Sequence, residues 1–314
     1  MNTPFVMVIF GATGDLAHSK LIPSLFTLYK QKQLGEQFYI VGFSRRSFSD
    51  EEFRSSFIND SEDPAWNEFA QHLSYLQGEF EKEGGYNSLI KKLESIDTVI
   101  GACVMRLFYL ATPPDNYHTI LNNLLSTKLS EGCGQGLSKW TRIIVEKPFG
   151  KDLETAKALD KKLSEIFDEK QIFRVDHYLG KETVQNMIAF RFANGIFEPV
   201  WNKNYIDHVQ ITWGEKKGVG NRGTFFDGVG LLRDVMQNHL LQLVAAVAME
   251  QPKHFSKEGV RDARADAIKA IQSIEPNNVS EYVVRGQYKG YQSEKNVETD
   301  SRTETFVALK FFVT

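Results

Sequence analysis

The first 175 residues alternate short apolar runs with segments of helical periodicity. Residues 5–10 (FVMVIF) are apolar without interruption, which is typical of a strand buried on both faces. A glycine-bearing turn, a helical pattern to about residue 33 and a second apolar run at 38–43 follow in that order. This order predicts a right-handed βαβ unit, and Pro23 is expected to break or bend the first turns of its helix.

Two more apolar runs, at residues 107–111 and 142–145, continue the alternation. Residues 50–100 are charged and helical in pattern, with predicted breaks at 60–64 and at Gly84 and Gly85. Asp152 is placed to cap the helix that follows the last of these runs. Strands that alternate with helices predict a doubly wound parallel α/β sheet of the Rossmann type, forming a dinucleotide-binding domain over residues 1–175.

The pattern changes after residue 175. Helices are predicted at about 182–194, 230–250 and 261–274, and strand-like runs at 207–214, 282–288 and 305–313. This order predicts an α+β second domain with a largely antiparallel sheet over residues 176–314. The chain stops at Thr314 on an apolar β-run whose open edge would promote aggregation, so we expect this second domain to be truncated.

Composition narrows the class of protein. The 314 residues suit about two domains, and 42% hydrophobic with 25% charged residues are typical of a soluble globular protein. A net charge of −3 argues against a nucleic-acid partner, and no apolar run approaches the ~18 residues that cross a membrane. Cys103 and Cys133 form no CxxC pair, which argues against a zinc knuckle or a disulfide framework. The expected compartment is the cytoplasm.

The turn after the first strand is the first candidate site. Gly11, Gly14 and Ala17 follow a strand and open a helix, as in a relaxed dinucleotide-binding fingerprint. Such a helix N-terminus offers backbone N–H groups to phosphates, although a plain strand-to-helix turn has the same pattern. The candidate cofactor-binding residues of this turn are Gly11, Ala12, Thr13, Gly14, Asp15 and Leu16.

The end of the second strand indicates which dinucleotide would bind. NAD sites usually place a carboxylate there for the ribose 2′-hydroxyl, whereas this chain has Ser44, Arg45, Arg46 and Ser47. Two guanidinium groups and two hydroxyls suit a 2′-phosphate, which favours NADP over NAD. The alternative is a solvated basic turn.

A second group of polar residues lies further along the chain. Lys147 follows a predicted parallel strand, where ligands bind in such sheets. His177, Tyr178 and Lys181 together would make a phosphate cradle. His239 shares a helical face with apolar residues, and a lone histidine in such a position is more often a core residue than a catalytic one. As a base it would need a carboxylate. That group could be Asp176 if the fold brings the two together.

These segments, in this order, resemble the glucose-6-phosphate dehydrogenase family. The matching segments are Gly11-Ala12-Thr13-Gly14-Asp15-Leu16-Ala17, Glu146-Lys147-Pro148-Phe149-Gly150, Arg174-Val175-Asp176-His177-Tyr178-Leu179-Gly180-Lys181-Glu182 and Arg233-Asp234-Val235-Met236-Gln237-Asn238-His239-Leu240. The resemblance implies oxidation of glucose 6-phosphate at C1 to 6-phosphogluconolactone with NADP⁺ as hydride acceptor. This is the first step of the oxidative pentose phosphate pathway. It also implies a homodimer or a dimer of dimers for the full-length family, and no metal.

The resemblance also implies a role for each site residue. It makes His239 the general base, with Asp176 as its partner, and places Lys147 between substrate and cofactor. The implied substrate ligands are His177, Tyr178 and Lys181 for the phosphate and Glu215 and Asp234 for sugar hydroxyls, while Arg45 and Arg46 would bind the 2′-phosphate of NADP.

Two alternatives stay open from the sequence. Proteins of the glucose–fructose oxidoreductase type share the Rossmann domain, a Glu-Lys-Pro turn and an antiparallel second domain, but often act on unphosphorylated substrates. The other alternative, suggested by the early stop at Thr314, is a catalytically inactive remnant that only binds NADP.

Overall fold

The computed structural model describes residues 3–57, 63–132 and 141–314, and the chain divides into two compact units, Met1–Val175 and Asp176–Thr314. The strands of the first unit are β1 (Phe5–Phe10), β2 (Phe38–Ser44), β3 (Leu73–Gln77), β4 (Met105–Leu110), β5 (Thr141–Glu146) and β6 (Ile172–Val175). Its helices are α1 (Ile22–Lys30), α2 (Asp50–Ser55), α3 (Ala65–Ala70), α4 (Glu83–Ile100), α5 (Tyr117–Ser126) and α6 (Leu153–Ser164).

The six strands form one sheet in the order β3-β2-β1-β4-β5-β6, and every neighbouring pair is parallel. This is the strand order of a doubly wound dinucleotide-binding sheet, so the predicted fold class of the first unit is confirmed. The order reverses between β1 and β4. Ligands bind at such a reversal, at the carboxyl ends of the strands.

Strand β1 shows why the sheet has two apolar faces. Successive side chains of a strand point to opposite faces. Val8 and Phe10 belong to the apolar cluster on one face, whereas Phe5 and Ile9 belong to the cluster on the other. All four are at most 2% exposed, which is why this run contains no polar residue.

Part of the helical prediction for residues 50–100 is wrong. Strand β3 lies within it, with the backbone N–H of Tyr75 bound to Asp50 at 2.6 Å. Five residues with a polar serine among them are too short for a clear periodic signal. Gly84 and Gly85 do not interrupt a helix but lie in the first turn of α4. A side chain at Gly85 would come within 2.9 Å of the ring of Phe43.

Pro23 acts where the sequence indicated, at the start of its helix. A π-helical segment, Ala17–Leu21, precedes α1, and the proline occupies the first turn of α1. Proline cannot donate a backbone hydrogen bond, and an altered hydrogen-bond pattern next to it is the expected consequence.

The second unit contains helices α7 (Glu182–Phe192), α8 (Gly223–Asp227), α9 (Leu241–Ala248), α10 (Lys257–Lys269) and α11 (Val279–Tyr282), with a π-helical segment, Leu232–Leu240, leading into α9. Strands β7 (Val283–Gly286) and β8 (Phe306–Leu309) pair antiparallel, as predicted for this domain. The strand expected at 207–214 is wrong. These residues are mostly exposed and adopt no regular secondary structure.

Arg191 fixes α7 against α9. Its side chain is 2% exposed, and it donates to the backbone carbonyls of Ala246 and Val247 at 3.0 and 2.7 Å and pairs with Glu198 at 3.1 Å. These carbonyls belong to the last turn of α9, where orphan acceptors need donors. The contact therefore holds the helix that continues from the π-helical segment.

One further feature of the first unit concerns its cysteines. Cys103 is disulfide-bonded, although the spacing of the two cysteines in the sequence argues against a disulfide framework. The other cysteine of the chain, Cys133, lies outside the described residues.

Among the helices that the structure describes, none has both the length and the apolar character needed to cross a membrane.

Candidate active site

Gly11 begins the turn after β1 and needs to be a glycine. Its φ is +86°, and a Cβ there would lie 2.5 Å from the carbonyl oxygen of Ala111, in the connection after β4. Its backbone N–H donates to Phe43 at 2.8 Å, and the N–H of Gly14 donates back to the carbonyl of Gly11 at 2.9 Å. The glycine turn is therefore packed into the point at which the strand order reverses.

The connection after β2 presents the two arginines beside this turn. Ser44 is buried and its hydroxyl lies 2.9 Å from that of Thr13, which joins the ends of β1 and β2. The hydroxyl of Tyr75 donates to the carbonyls of Ser44 and Arg46, at 3.1 and 2.5 Å. The side chains of Arg45 and Arg46 are exposed. A fixed backbone thus holds two solvent-facing guanidinium groups at the edge where phosphates would bind.

Lys147 follows β5 at the same edge of the sheet and is half-buried. The preceding Glu146 accepts a hydrogen bond from the hydroxyl of Tyr109 through its carboxylate and from Tyr117 through its carbonyl, at 3.2 Å. Burial raises the pKa of both tyrosines, so both stay protonated donors. The position of Lys147 at a carboxyl end of a parallel strand is therefore well defined by its neighbour.

In the second unit, His239 and Asp176 are hydrogen-bonded. Nδ1 of His239 lies 2.7 Å from Oδ1 of Asp176, and the same oxygen accepts from the backbone N–H of Tyr178 at 3.0 Å. The two side chains are only 4% and 9% exposed. Nε2 of His239 makes no hydrogen bond with any residue that the structure describes. The imidazole is thus oriented through one of its two nitrogens.

The carboxyl group of Asp176 is held in its ionised form. Burial alone would raise its pKa, but the hydrogen bonds from His239 and Tyr178, with the charges of His239 and His177, lower the pKa below its usual value. A carboxylate can only accept, so Nδ1 of His239 carries the hydrogen of the shared bond. In the neutral form of the ring, Nε2 is then the nitrogen without a hydrogen.

The residues next to Asp176 gather around the imidazole. The ring of Tyr178 stacks on that of His239 at 4.0 Å between centroids, and the ring of His177 lies 4.6 Å from it. Nζ of Lys181 lies 3.5 Å from the centre of the Tyr178 ring. An imidazole and a phenol thus lie directly against the ring of His239, and an ammonium lies against the phenol ring.

The two acidic residues predicted to bind sugar hydroxyls differ from each other in burial and in hydrogen-bond partners. Asp234 is buried on the same π-helical segment as His239 and pairs with Arg222 at 3.5 Å. Glu215 is exposed and makes no hydrogen bond or ion pair with the described residues. Sequence reasoning missed Arg222, which lies in no recognisable motif. Only its charge, in a chain position without regular periodicity, could have drawn attention to it.

The site also has the spacing of a metal site, because ligand atoms of Asp176, His177 and His239 lie within 4.8 Å of one another. The ammonium group of Lys181 lies against the ring of Tyr178 in the same turn, and a positive charge there favours an anion over a metal ion. We assign no metal here, and the absence of a metal stays a prediction of the sequence.

Fold and site together define a class of protein. A doubly wound sheet with a glycine turn at its reversal point and two arginines after β2 is typical of a dinucleotide-binding protein. A carboxylate-held imidazole adds a group that can move a proton. These features are those of an NAD(P)-dependent oxidoreductase.

Comparisons with known proteins narrow this class to one family. Residues 8–186 match the family profile described as "Glucose-6-phosphate dehydrogenase, NAD binding domain", and residues 188–314 match "Glucose-6-phosphate dehydrogenase, C-terminal domain". The chain belongs to the glucose-6-phosphate dehydrogenase family, and the resemblance that the sequence indicated is confirmed. The alternative of a glucose–fructose oxidoreductase type finds no support in these matches.

Individual relatives agree with the family match. The chain is 44% identical to glucose-6-phosphate 1-dehydrogenase of Chlamydia pneumoniae over 98% of its own length and 63% of the relative's, and 42% identical to that of Bacillus subtilis over 98% and 65%. A solved glucose-6-phosphate dehydrogenase in complex with its substrate glucose-6-phosphate superposes with a TM-score of 0.89 at 36% identity, covering all of this chain and 66% of the other. The chain therefore spans about two thirds of the length of the relatives it matches.

Proposed function

We propose that this protein oxidises glucose 6-phosphate at C1 to 6-phosphogluconolactone, with NADP⁺ as the cofactor. The observation that carries the proposal is the 2.7 Å hydrogen bond between His239 and Asp176. The ring of Tyr178 stacks on this imidazole, and the ammonium of Lys181 lies against Tyr178. The family membership and the substrate complex of a relative support the choice of substrate. The reaction would be the first step of the oxidative pentose phosphate pathway.

In this proposal His239 is the general base. Nε2 accepts the proton of the C1 hydroxyl, because Nδ1 carries the hydrogen bound to Asp176. The ionised carboxylate then stabilises the imidazolium that forms and keeps the ring in one orientation. NADP⁺, when bound, supplies the hydride acceptor, which is chemistry that no side chain offers.

The substrate phosphate is proposed to bind His177, Tyr178 and Lys181. The first two lie against the ring of His239, Lys181 lies against the ring of Tyr178, and each side chain can donate to a phosphate. Asp234 is proposed to accept from a sugar hydroxyl. The same role for Glu215 rests on the resemblance alone.

The cofactor is proposed to bind the first unit. The residues there fit the group, because the glycine turn opens a helix at the reversal point and the exposed Arg45 and Arg46 complement a 2′-phosphate. The backbone from Gly11 to Leu16 would hold the pyrophosphate, with Lys147 at the same edge of the sheet.

The cytoplasmic location, and the homodimer or dimer of dimers expected for the full-length family, are proposals that rest on the resemblance. Sedimentation of this chain tests the second.

The direct test is an assay of NADPH formation by the purified chain with glucose 6-phosphate and, separately, with glucose. We expect turnover with the phosphorylated sugar and much less with glucose, because the cationic group beside His239 would lack its anion. Binding of NADP⁺ without turnover at high enzyme concentration would instead identify an inactive remnant. Preference for glucose would favour the oxidoreductase alternative.

A further inference from the structure

Arg222 contacts a residue of the proposed site but has no part in the proposed mechanism. Its Nη1 lies 3.5 Å from Oδ2 of Asp234, and its side chain makes no other ion pair with the residues that the structure describes. The side chain of Arg222 is 55% exposed, whereas that of Asp234 is only 9% exposed. A buried carboxylate loses its hydration, and a partner of opposite charge compensates that loss. Arg222 therefore supplies a compensating charge from the solvent side.

The backbone that carries Arg222 is anchored to the core of the second unit. The N–H of Arg222 donates to the carbonyl of Val219 at 3.1 Å, and the N–H of Val219 donates to the hydroxyl of Tyr288 at 3.2 Å. Val219 is buried in an apolar cluster with Phe226 and Tyr291. The guanidinium thus extends toward Asp234 from a turn whose backbone is held in place.

The π-helical segment Leu232–Leu240 relates Asp234 to the proposed base. His239 follows Asp234 by five residues, and both side chains are buried. Hydrogen bonds in a π-helix join residues five apart, so such residues lie about one turn apart and face the same side. In an α-helix the residues on one face are three or four apart instead. The carboxylate that pairs with Arg222 therefore lies on the same side of the segment as the imidazole.

We propose that Arg222 is a positioning residue that fixes the carboxylate of Asp234 toward one hydroxyl of the sugar, and so determines which sugars the site accepts. This selection deepens the proposed function and rests on it, whereas the pairing with Asp234 does not. A carboxylate can only accept hydrogen bonds, so it gains nothing from a hydrogen in place of the hydroxyl. A site built to bond a hydroxyl discriminates against an analogue that lacks it. Without the cation, the carboxylate can turn, and this discrimination should weaken.

The experiment measures the binding of glucose 6-phosphate, and of its analogues that lack the hydroxyl at C2, C3 or C4, to the full chain by titration calorimetry. We expect the native chain to bind one analogue about tenfold or more weaker than glucose 6-phosphate. Arg222→Gln should reduce that ratio severalfold and leave the other two ratios unchanged. Arg222→Lys keeps the charge without the planar fork and should retain part of the discrimination. Arg222→Met, which keeps the apolar stem, is measured alongside in case the glutamine variant does not fold.

The ratios separate positioning from a merely structural role, which would weaken the binding of every sugar alike. Arg285→Gln removes an exposed arginine on β7 and should change no ratio. Asp234→Asn should lose the same discrimination as Arg222→Gln, and the double variant should lose no more than Asp234→Asn does. Unchanged ratios in Arg222→Gln, or an equal loss of affinity for every sugar, overturn the inference.

Urea denaturation of the two single variants and the double variant separates this inference from the proposed function. The double variant should lose less free energy of unfolding than the two single losses together, because Arg222 and Asp234 form one pair. Additive losses overturn the inference whether or not a sugar binds. Coupled losses in a chain that binds none of the sugars contradict the proposed function, and the role of Arg222 in selecting the substrate is then rejected with it.

Discussion

A single oxygen atom, Oδ1 of Asp176, accepts hydrogen bonds from the backbone of Tyr178 and from the ring of His239. The first bond forms a tight turn, and the second reaches a residue 63 positions further along the chain. Sequence motifs identify both side chains as candidate catalytic residues. The contact between them depends on tertiary structure, which the local spacing of residues does not encode. The turn and the imidazole are thus fixed by the same atom.

The lowered pKa of Asp176 gives a prediction for stability against pH. A carboxyl group whose pKa is depressed in the folded state stabilises the fold above its unfolded pKa of about 3.9, and that contribution is lost as pH falls through the folded value. Asp176→Asn should therefore lower the free energy of unfolding near neutral pH, and the difference from the native chain should shrink below about pH 4. Urea denaturation across that range measures it. A difference independent of pH would contradict the charge-based account.

Arg45 should determine the preference for NADP⁺. Arg45→Ala removes a guanidinium that only the 2′-phosphate can engage, so NADP⁺ binding should weaken by about tenfold or more while NAD⁺ binding changes little. Titration calorimetry with both dinucleotides measures the ratio, and Arg285→Ala, an exposed arginine of the other unit, is the matched control. An unchanged ratio would reject the role.

Some residues of the site carry no signal in the sequence. Arg222 is an isolated arginine outside the motifs, and it joins the site only because folding brings it close to Asp234. Arginines on protein surfaces are common, so their residue type alone does not separate them from solvated ones.

At the level of elements, long apolar strands were predictable and subtle helix geometry was not. β1, β2, β4 and β5 contain continuous or nearly continuous apolar runs, which only a doubly covered sheet buries. In contrast, the π-helical segment Leu232–Leu240 differs from an α-helix by a shift of one residue in its hydrogen bonds, which leaves composition unchanged. The 3.6-residue periodicity that placed His239 on an apolar face therefore does not apply to its surroundings.

The two errors among strands have a related cause. β3 is short and lies in a charged region whose pattern predicts helices. Residues 207–214 have the residue types of a strand but pair with no neighbouring strand among the described residues. The preference of a residue type for strands reports how well its side chain fits a half-buried sheet. Whether a neighbouring strand is available depends on the tertiary fold, which the local sequence does not encode.

Gly11 allows an element-level test. Gly11→Ala places a Cβ at positive φ and within 2.5 Å of a backbone oxygen, so we expect a loss of about 1–3 kcal/mol in the free energy of unfolding, with weaker NADP⁺ binding. Gly84→Ala is the control, because Gly84 is helical with open space around it and should be neutral or stabilising by up to about 1 kcal/mol. Chemical denaturation of both variants measures the two changes in the free energy of unfolding. Equal changes in the two variants would contradict the account.

At the scale of the whole molecule, each compact unit holds a different part of the proposed site. Met1–Val175 holds the glycine turn, Arg45, Arg46 and Lys147, and Asp176–Thr314 holds the imidazole with its carboxylate. The sequence alternates strands and helices up to residue 175 and then changes to a different order of elements. This change indicates a doubly wound parallel sheet in the first unit and an α+β fold in the second. The family match then agrees across both units.

The most direct test of the account compares turnover and cofactor binding in His239→Asn. We predict that turnover with glucose 6-phosphate falls by about 10²-fold or more, since the base is lost, while the dissociation constant for NADP⁺ stays nearly unchanged. His208→Asn, in an exposed pair with Asp207, should alter neither quantity. A His239→Asn variant that keeps native turnover, or that loses cofactor binding as severely as turnover, would contradict the central claim.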